Sequence, residues 1–246
     1  MKTLLVAGAT GNTGRPLVEQ SLALGHAVRV IVRSRQRLPA AVLEHPNIEV
    51  IEASILDLSD EQMGEFVKGC DAVVSCLGHV ISFKGIFGAP KKLCTDATRR
   101  LCAAIQSNRP TSPAKFILMN TVGVPNPDLH EKRSWFERGV LTLLRWLIPP
   151  HNDNETAAQH LHETVGTQSE YLEWCSVRPD SLINAEVSPY DVTESPVTDL
   201  FSGRPTTRSN VARFMTQLVE DEALWNTWKF KMPVIMNAQP RSPGLN

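Results

Sequence analysis

Leu4-Leu5-Val6-Ala7-Gly8-Ala9-Thr10-Gly11-Asn12-Thr13-Gly14 carries the chain from an apolar run straight into three closely spaced glycines. The next residues, Pro16-Leu17-Val18-Glu19-Gln20-Ser21-Leu22-Ala23-Leu24, have amphipathic helical spacing. A strand that ends in such a turn and restarts as a helix suits the pyrophosphate of a dinucleotide. The first glycine lets the chain turn off the strand, the second lets backbone approach the phosphates, and the third lets the helix pack closely. A helix starting near Asn12 aims its unpaired N–H groups and positive dipole end at the anion. The glycine spacing alone is weak evidence, but here it stands between a strand and a helix, as the motif requires.

Some twenty residues on, His26-Ala27-Val28-Arg29-Val30-Ile31-Val32 reads as a second strand, ending in Arg33-Ser34-Arg35-Gln36-Arg37. A site for NAD would place Asp or Glu there, on the ribose hydroxyls. A basic strand end suits a 2′-phosphate, which arginine clamps bidentately. The alternative is a solvated basic loop. Beside the glycine turn, NADP(H) is the expected cofactor.

Outward from this unit, strand and helix patterns alternate, the signature of a mostly parallel sheet covered on both faces. Strands are expected at 47–52, 71–76, 115–120 and 172–177, and helices from 59, over 90–107, at 134–147 and at 153–165, with Pro149-Pro150 breaking the chain between the last two. After Arg178 the chain reads as irregular until a helix at 209–220 and a final strand at 229–235. The expected fold is α/β, a Rossmann-type doubly wound sheet, with residues 1–246 forming one domain. Segments 122–170 and 180–208 are its substrate-side elements.

The 246 residues are 42% hydrophobic and 21% charged, as in an ordinary globular protein. A net charge of −1 speaks against nucleic acid as the main partner. No run is long and apolar enough for a bilayer, and with the first strand at its start no signal peptide is expected. Five cysteines (70, 76, 94, 102 and 175) form no CxxC pair and read as buried hydrophobes in a reducing, cytoplasmic setting. A monomer or homodimer acting on a small molecule is expected.

In order along the chain, Gly8-x-x-Gly11-x-x-Gly14, Arg33-Ser34, Asp57-Leu58, Cys76-Leu77-Gly78, the strand 116–121, Val177-Arg178-Pro179 and Ser209-Asn210-Val211-Ala212 resemble the atypical short-chain dehydrogenase/reductases. The nearest branch is the NmrA-like and flavin/biliverdin-reductase-like NAD(P)H-binding proteins. The resemblance implies that Gly8, Thr10, Gly11, Asn12, Thr13 and Gly14 contact the pyrophosphate, and Arg33, Ser34 and Arg35 the 2′-phosphate. It places Asp57 and Leu58 beside the adenine and Cys76, Leu77 and Gly78 along the nicotinamide ribose. Asn120, Thr121 and Pro179 would stand near the nicotinamide, with Thr121 and Asn154 as the candidates closest to the chemistry.

One departure matters. The usual short-chain enzymes reduce carbonyls with a Tyr-x-x-x-Lys pair, but the chain has two tyrosines, Tyr171 and Tyr190, followed four residues on by Cys175 and Glu194. No lysine lies between Lys132 and Lys229, and Asn154 occupies the matching helix position. The segment Asn152–Asn154 either caps that helix or holds the nicotinamide ribose. Two readings remain. The chain is an NADPH-dependent reductase of a conjugated acceptor such as a flavin or quinone, or it binds NADP(H) without catalysis as a redox sensor or assembly factor.

Other constellations are weaker. His151, His160 and His162 have no carboxylate at ligand spacing, so no metal site is expected. Cys76 reads as a buried strand residue rather than a nucleophile. Trp135, Phe136 and Trp146 read as packing their helix on the body rather than stacking on a substrate. Ser82-Phe83-Lys84-Gly85-Ile86-Phe87-Gly88 is the expected lid or pocket wall.

Overall fold

The computed structural model describes residues 1–79, 90–129, 131, 134–147, 149–199 and 202–239. The expected lid at 82–88 lies outside the described residues. The short apolar runs form β1 (Thr3–Ala7), β2 (Ala27–Val32), β3 (Ile48–Glu52), β4 (Ala72–Ser75), β5 (Ala114–Met119) and β6 (Leu172–Pro179). All pair in parallel. With β10 (Val234–Asn237) and β8 (Tyr190–Thr193) they make an eight-stranded sheet of order β3-β2-β1-β4-β5-β6-β10-β8. β10 is parallel to β6, and β8 is antiparallel to β10.

Alternation along each strand explains the two core layers. Leu5, Ala7, Val73, Phe116, Leu118 and Trp174 face one side. They meet α3 (Asp60–Val67), α4 (Leu93–Asn108) and α6 (Pro149–Gln159). Leu4, Val6, Val74, Ile117, Cys175 and Val177 face the other side. They meet α1 (Gly14–Ala23), α7 (Arg208–Glu220) and α8 (Glu222–Trp228). Each fully buried Leu, Ile or Phe contributes about 1.5–3 kcal/mol, so a sheet covered on both faces needs strands that are apolar throughout. The order reverses between β1 and β4, opening a crevice at their carboxyl ends.

Several boundaries differ from the sequence reading. α4 starts at Leu93 rather than at 90, where a distant carboxylate caps the N–H groups of Cys94 and Thr95. The second expected helix pair is α5 (Trp135–Leu147) and α6, and Pro149-Pro150 opens α6, where a missing N–H costs nothing. A π-helical turn, His160–Val165, then replaces the last regular turns. The last strand is Val234–Asn237, because Phe230 has φ 61° and cannot extend the strand. Lys231 and Pro233 still accept N–H groups of β6, from Ser176 and Arg178. The region after Arg178 is more regular than expected. It holds β8, the small parallel pair β7 (Ser181–Ile183) and β9 (Pro205–Thr207), and α8, whose N-terminus Asp221 caps. A short helix, α2 (Ala40–Leu43), was likewise not expected.

Trp135 and Phe136 correct another expectation. Trp135 is 85% exposed and Phe136 55%, their rings meeting edge to face, so Trp135 in particular stands in solvent rather than packing α5 on the body. The reason is local: a reciprocal cap between Ser134 and Glu137 starts α5 and leaves the two rings outward. The Trp146 side chain lies outside the described residues. None of the described helices is long and apolar enough to cross a membrane.

Candidate dinucleotide cleft

A cleft of about 860 Å³ opens at the β1/β4 crevice. Gly8, Thr10 and Gly11 line it from beyond β1, Arg33 and Arg37 from beyond β2, Ser54, Ile55 and Leu56 from beyond β3, and Cys76, Leu77 and Gly78 from beyond β4. The three glycines do different work. Gly8 has φ +84°, and a Cβ there would lie 2.6 Å from the Cys76 carbonyl oxygen. A Cβ on Gly14 would lie 2.2 Å from the Gly8 carbonyl oxygen, so α1 seats directly on the turn. Gly11 alone is eased, its Cβ meeting only the Gly8 oxygen at 3.2 Å, and it faces the cleft. The first turn of α1 carries no acidic side chain, so nothing neutralises its positive end. Three features of the chain thus fit a dinucleotide: the backbone cradle, the bare helix terminus and the exposed arginines.

The expected residues divide by place. Gly8, Thr10, Gly11, Arg33, Cys76, Leu77 and Gly78 line the cleft. Asn12, Thr13 and Gly14 build the turn and helix start behind it. Arg37, rather than Arg35 or Ser34, joins Arg33 on the wall, because Arg35–Arg37 is a single 3-10 turn. Asp57 and Leu58, expected beside the adenine, do not line the cleft: Ser54–Leu56 do, while Asp57 is exposed and the Leu58 carbonyl accepts from Arg100. Burial pushes the Cys76 thiol up to about 12, which leaves it inert as a nucleophile.

The expected nicotinamide-side residues form a second, connected group. The Asn120 side-chain amide donates to the Asn154 carbonyl at 3.1 Å, and its Oδ1 accepts the Thr121 N–H at 2.9 Å. Thr121 Oγ1 accepts the Gly123 N–H at 3.3 Å, and the Pro179 carbonyl accepts the Val122 N–H at 3.1 Å. Beside Asn154 stands a residue that sequence reading missed. Asp153 is buried, and its carboxylate accepts the Cys94 N–H at 2.8 Å and the Thr95 N–H at 2.9 Å. It also lies 2.8 Å from Nε2 of His79, which follows Gly78 at the end of β4. Burial pushes the Asp153 carboxyl up, but hydrogen bonds from Thr95, His79 and Cys94 outweigh it and hold the group below its usual range.

His79, Cys94 and Asp153 bring possible ligand atoms within 4.8 Å of one another. The Asp153 carboxylate and the Cys94 thiol are hydrogen-bonded within the protein. Both Asp153 oxygens accept N–H groups, and the Cys94 thiol, pushed well up by burial and by Asp153, donates to the Leu77 carbonyl. The expectation about histidines and carboxylates is corrected elsewhere: His162 pairs with Asp128 at 2.8 Å, a partner from the segment after β5.

Neither tyrosine reaches the cleft. Tyr171 precedes β6 at the amino end of the strand, where its carbonyl accepts the Ala114 N–H. Tyr190 is on β8 and donates to Gln217, four strands from β4, or about 19 Å at ordinary strand spacing. Two further cavities, of about 540 and 640 Å³, share Met232 and lie along 124–129 and 228–233. Neither carries the glycine turn or Arg33 and Arg37.

The chain belongs to the NAD(P)H-binding family, whose model matches residues 8–222. The matched stretch is an NAD(P)H-binding domain. It is 25% identical over 200 residues to the oxidoreductase AgnL4 of Paecilomyces divaricatus, a stretch covering 77% of this chain and 66% of that one. The chain spans less than two thirds of the length of the curated relatives it matches, 41% and 66%. Among solved structures, ChuY, an anaerobillin reductase from Escherichia coli O157:H7, superposes with TM-score 0.67 at 16% identity, covering 98% of this chain and 99% of that one. A short-chain dehydrogenase/reductase from Veillonella parvula, solved with NADP, gives TM-score 0.67 at 15% identity over 99% and 95%. At such identities the likeness is one of fold.

Proposed function

We propose that the protein is an NADPH-dependent reductase of a conjugated small molecule, such as a flavin or quinone, working without a tyrosine–lysine pair. The observation that carries this is the cleft at the β1/β4 crevice, with its glycine turn and with Arg33 and Arg37 where a 2′-phosphate would lie. The oxidoreductase relative and the NADP-bound structural neighbour support it. The cofactor supplies the hydride when bound. Gly8, Thr10 and Gly11 bind the pyrophosphate, and Cys76, Leu77 and Gly78 set the depth of the nicotinamide ribose. Asn120 locks Thr121 and α6 into one rigid rim that orients the acceptor. The domain is a single unit, with 122–170 and 180–208 forming its substrate side.

Calorimetric titration with NADPH and NADH tests the cofactor half. NADPH should bind at least tenfold more tightly, about 1.4 kcal/mol, and Arg33→Asp with Arg37→Asp should reverse the order. Equal affinities would overturn it. NADPH absorbance followed against flavins, quinones and simple ketones tests the reaction. Tight binding with no oxidation across the panel favours the sensor reading, which the missing tyrosine–lysine pair keeps open.

A further inference from the structure

Loop backbone that lines a cleft keeps one shape only where its polar groups find partners. Beyond β3 the chain makes a tight turn, closed by the Asp57 N–H on the Ser54 carbonyl at 3.0 Å. Ser54, Ile55 and Leu56 of this turn line the cleft. Its carbonyls are gathered by one side chain of α4. Arg100 donates through Nη1 to the Ile55 and Leu56 carbonyls, each at 3.0 Å, and through Nη2 to the Leu58 carbonyl. Nη2 also meets the Asp60 carboxylate at 3.1 Å, where α3 begins. Acceptors strung along 55–60 in this way suit the planar fork of a guanidinium. The packing of α4 does not depend on this clamp. Cys94, Ala97, Leu101, Cys102 and Ile105 bury the helix against the sheet, and Asn108 donates to the Gly64 carbonyl of α3. Leu93, two turns before Arg100 on the same helix face, lines the cleft itself.

We propose that Arg100 is the positioning residue for the adenosine part of the cofactor. It fixes the Ser54–Leu58 turn so that Ile55 and Leu56 present an apolar wall to the adenine. This rests on the reading of the cleft as an NADPH site. Within that reading, the place of the turn assigns its partner. β2 and β3 run side by side with Val32 opposite Glu52, and the Ala53 N–H donates to the Val32 carbonyl at 2.8 Å. The turn therefore leaves the sheet beside Arg33 and Arg37, the arginines assigned to the 2′-phosphate. Adenine and that phosphate are carried by one ribose, so the group that reaches the turn is the base. Arg100 is not among the residues lining the cleft, and it acts through the backbone it holds. Nothing local in the sequence marks it, since the carbonyls it gathers lie 42 to 45 residues away.

Arg100→Met tests this, because it keeps much of the stem and removes every donor. Tm should fall by no more than about 5 °C, the core of α4 being untouched. In the free variant, amide hydrogen exchange at 54–58 should speed by about tenfold or more while α4 keeps its protection. Calorimetry with NADPH and with 2′,5′-ADP, which lacks the nicotinamide half, reads the binding. Both should weaken by the same factor, about tenfold, because the loss falls on the adenosine part alone. Arg100→Lys, with one ammonium in place of the fork, should recover part of both losses. Unchanged exchange at 54–58 would overturn the proposal, as would 2′,5′-ADP affinity equal to that of wild type. So would a loss for NADPH much larger than that for 2′,5′-ADP, the mark of a general loosening. Wild type that binds neither would instead strike the NADPH reading, and exchange in the free protein would still decide whether Arg100 fixes the turn.

Discussion

Arg178 offers the sharpest test of how the substrate side is held. Its side chain is fully buried at the end of β6, 2.6 Å from the Glu131 carboxylate. It also donates to the carbonyls of Val124, Glu194 and Met232. One guanidinium thus fastens four segments: the loop after β5, the stretch before α5, the end of β8 and the approach to β10. Arg178→Met preserves bulk but removes the guanidinium from beside a buried carboxylate and three carbonyls. Breaking a buried pair from one side costs about 3–5 kcal/mol. For a chain of this size that lowers Tm by about 6–20 °C. Arg178→Lys should recover only part, because a single ammonium cannot span the fork of acceptors. Adding Glu131→Gln to Arg178→Met should regain about half of the loss. Urea unfolding and calorimetry measure both. A loss below 1 kcal/mol in Arg178→Met would refute the idea that this one residue holds the segments together.

Gly11→Val should fold with Tm near wild type yet lose NADPH binding by about a hundredfold or more. Gly14→Ala, whose Cβ would strike the Gly8 carbonyl, should be destabilised outright, and calorimetry with circular dichroism separates the two. Tyr171→Phe and Tyr190→Phe should leave turnover within about twofold; Tyr190→Phe should cost about 0.5–1.5 kcal/mol of stability through its lost bond to Gln217. Turnover that depends on either hydroxyl would overturn the placement of the reaction at the β4 and β5 ends. Asp153 is held below its unfolded value, about 3.9, so its contribution to stability is complete above that pH and is lost as pH falls through the native value. Asp153→Asn should therefore flatten the acid limb of a stability–pH curve, and an unchanged limb would sink this assignment.

The glycine turn and its flanking strand and helix were legible because each signal is local: three glycines, an apolar run, a 3.6-residue period. The parallel sheet was legible for the same reason, since strands buried on both faces are apolar throughout. Asp153 was not. It lies among Asn152, Asn154 and Glu155, and its role exists only because the fold brings Cys94 and His79 to it across 59 and 74 residues. Likewise Ser181–Ile183 and Tyr190–Thr193 are strands by virtue of their partners, Pro205–Thr207 and Val234–Asn237, rather than of their own composition. Arg37 was quoted within the basic run, but only the 3-10 turn sets it on the cleft wall in place of Arg35.

The position of β10 between β6 and β8 has a consequence during synthesis. The chain emerges from the ribosome with β1 to β6 made before Val234–Asn237. Until then β6 presents an open edge, and β8 has no neighbour at all. A nascent chain at that stage exposes N–H and C=O groups able to pair with another copy, the hazard of any unfinished sheet. Translation pauses or premature stops between β8 and β10 should therefore yield aggregates rather than a trimmed but working protein, even though every residue of the nucleotide cleft would already be present.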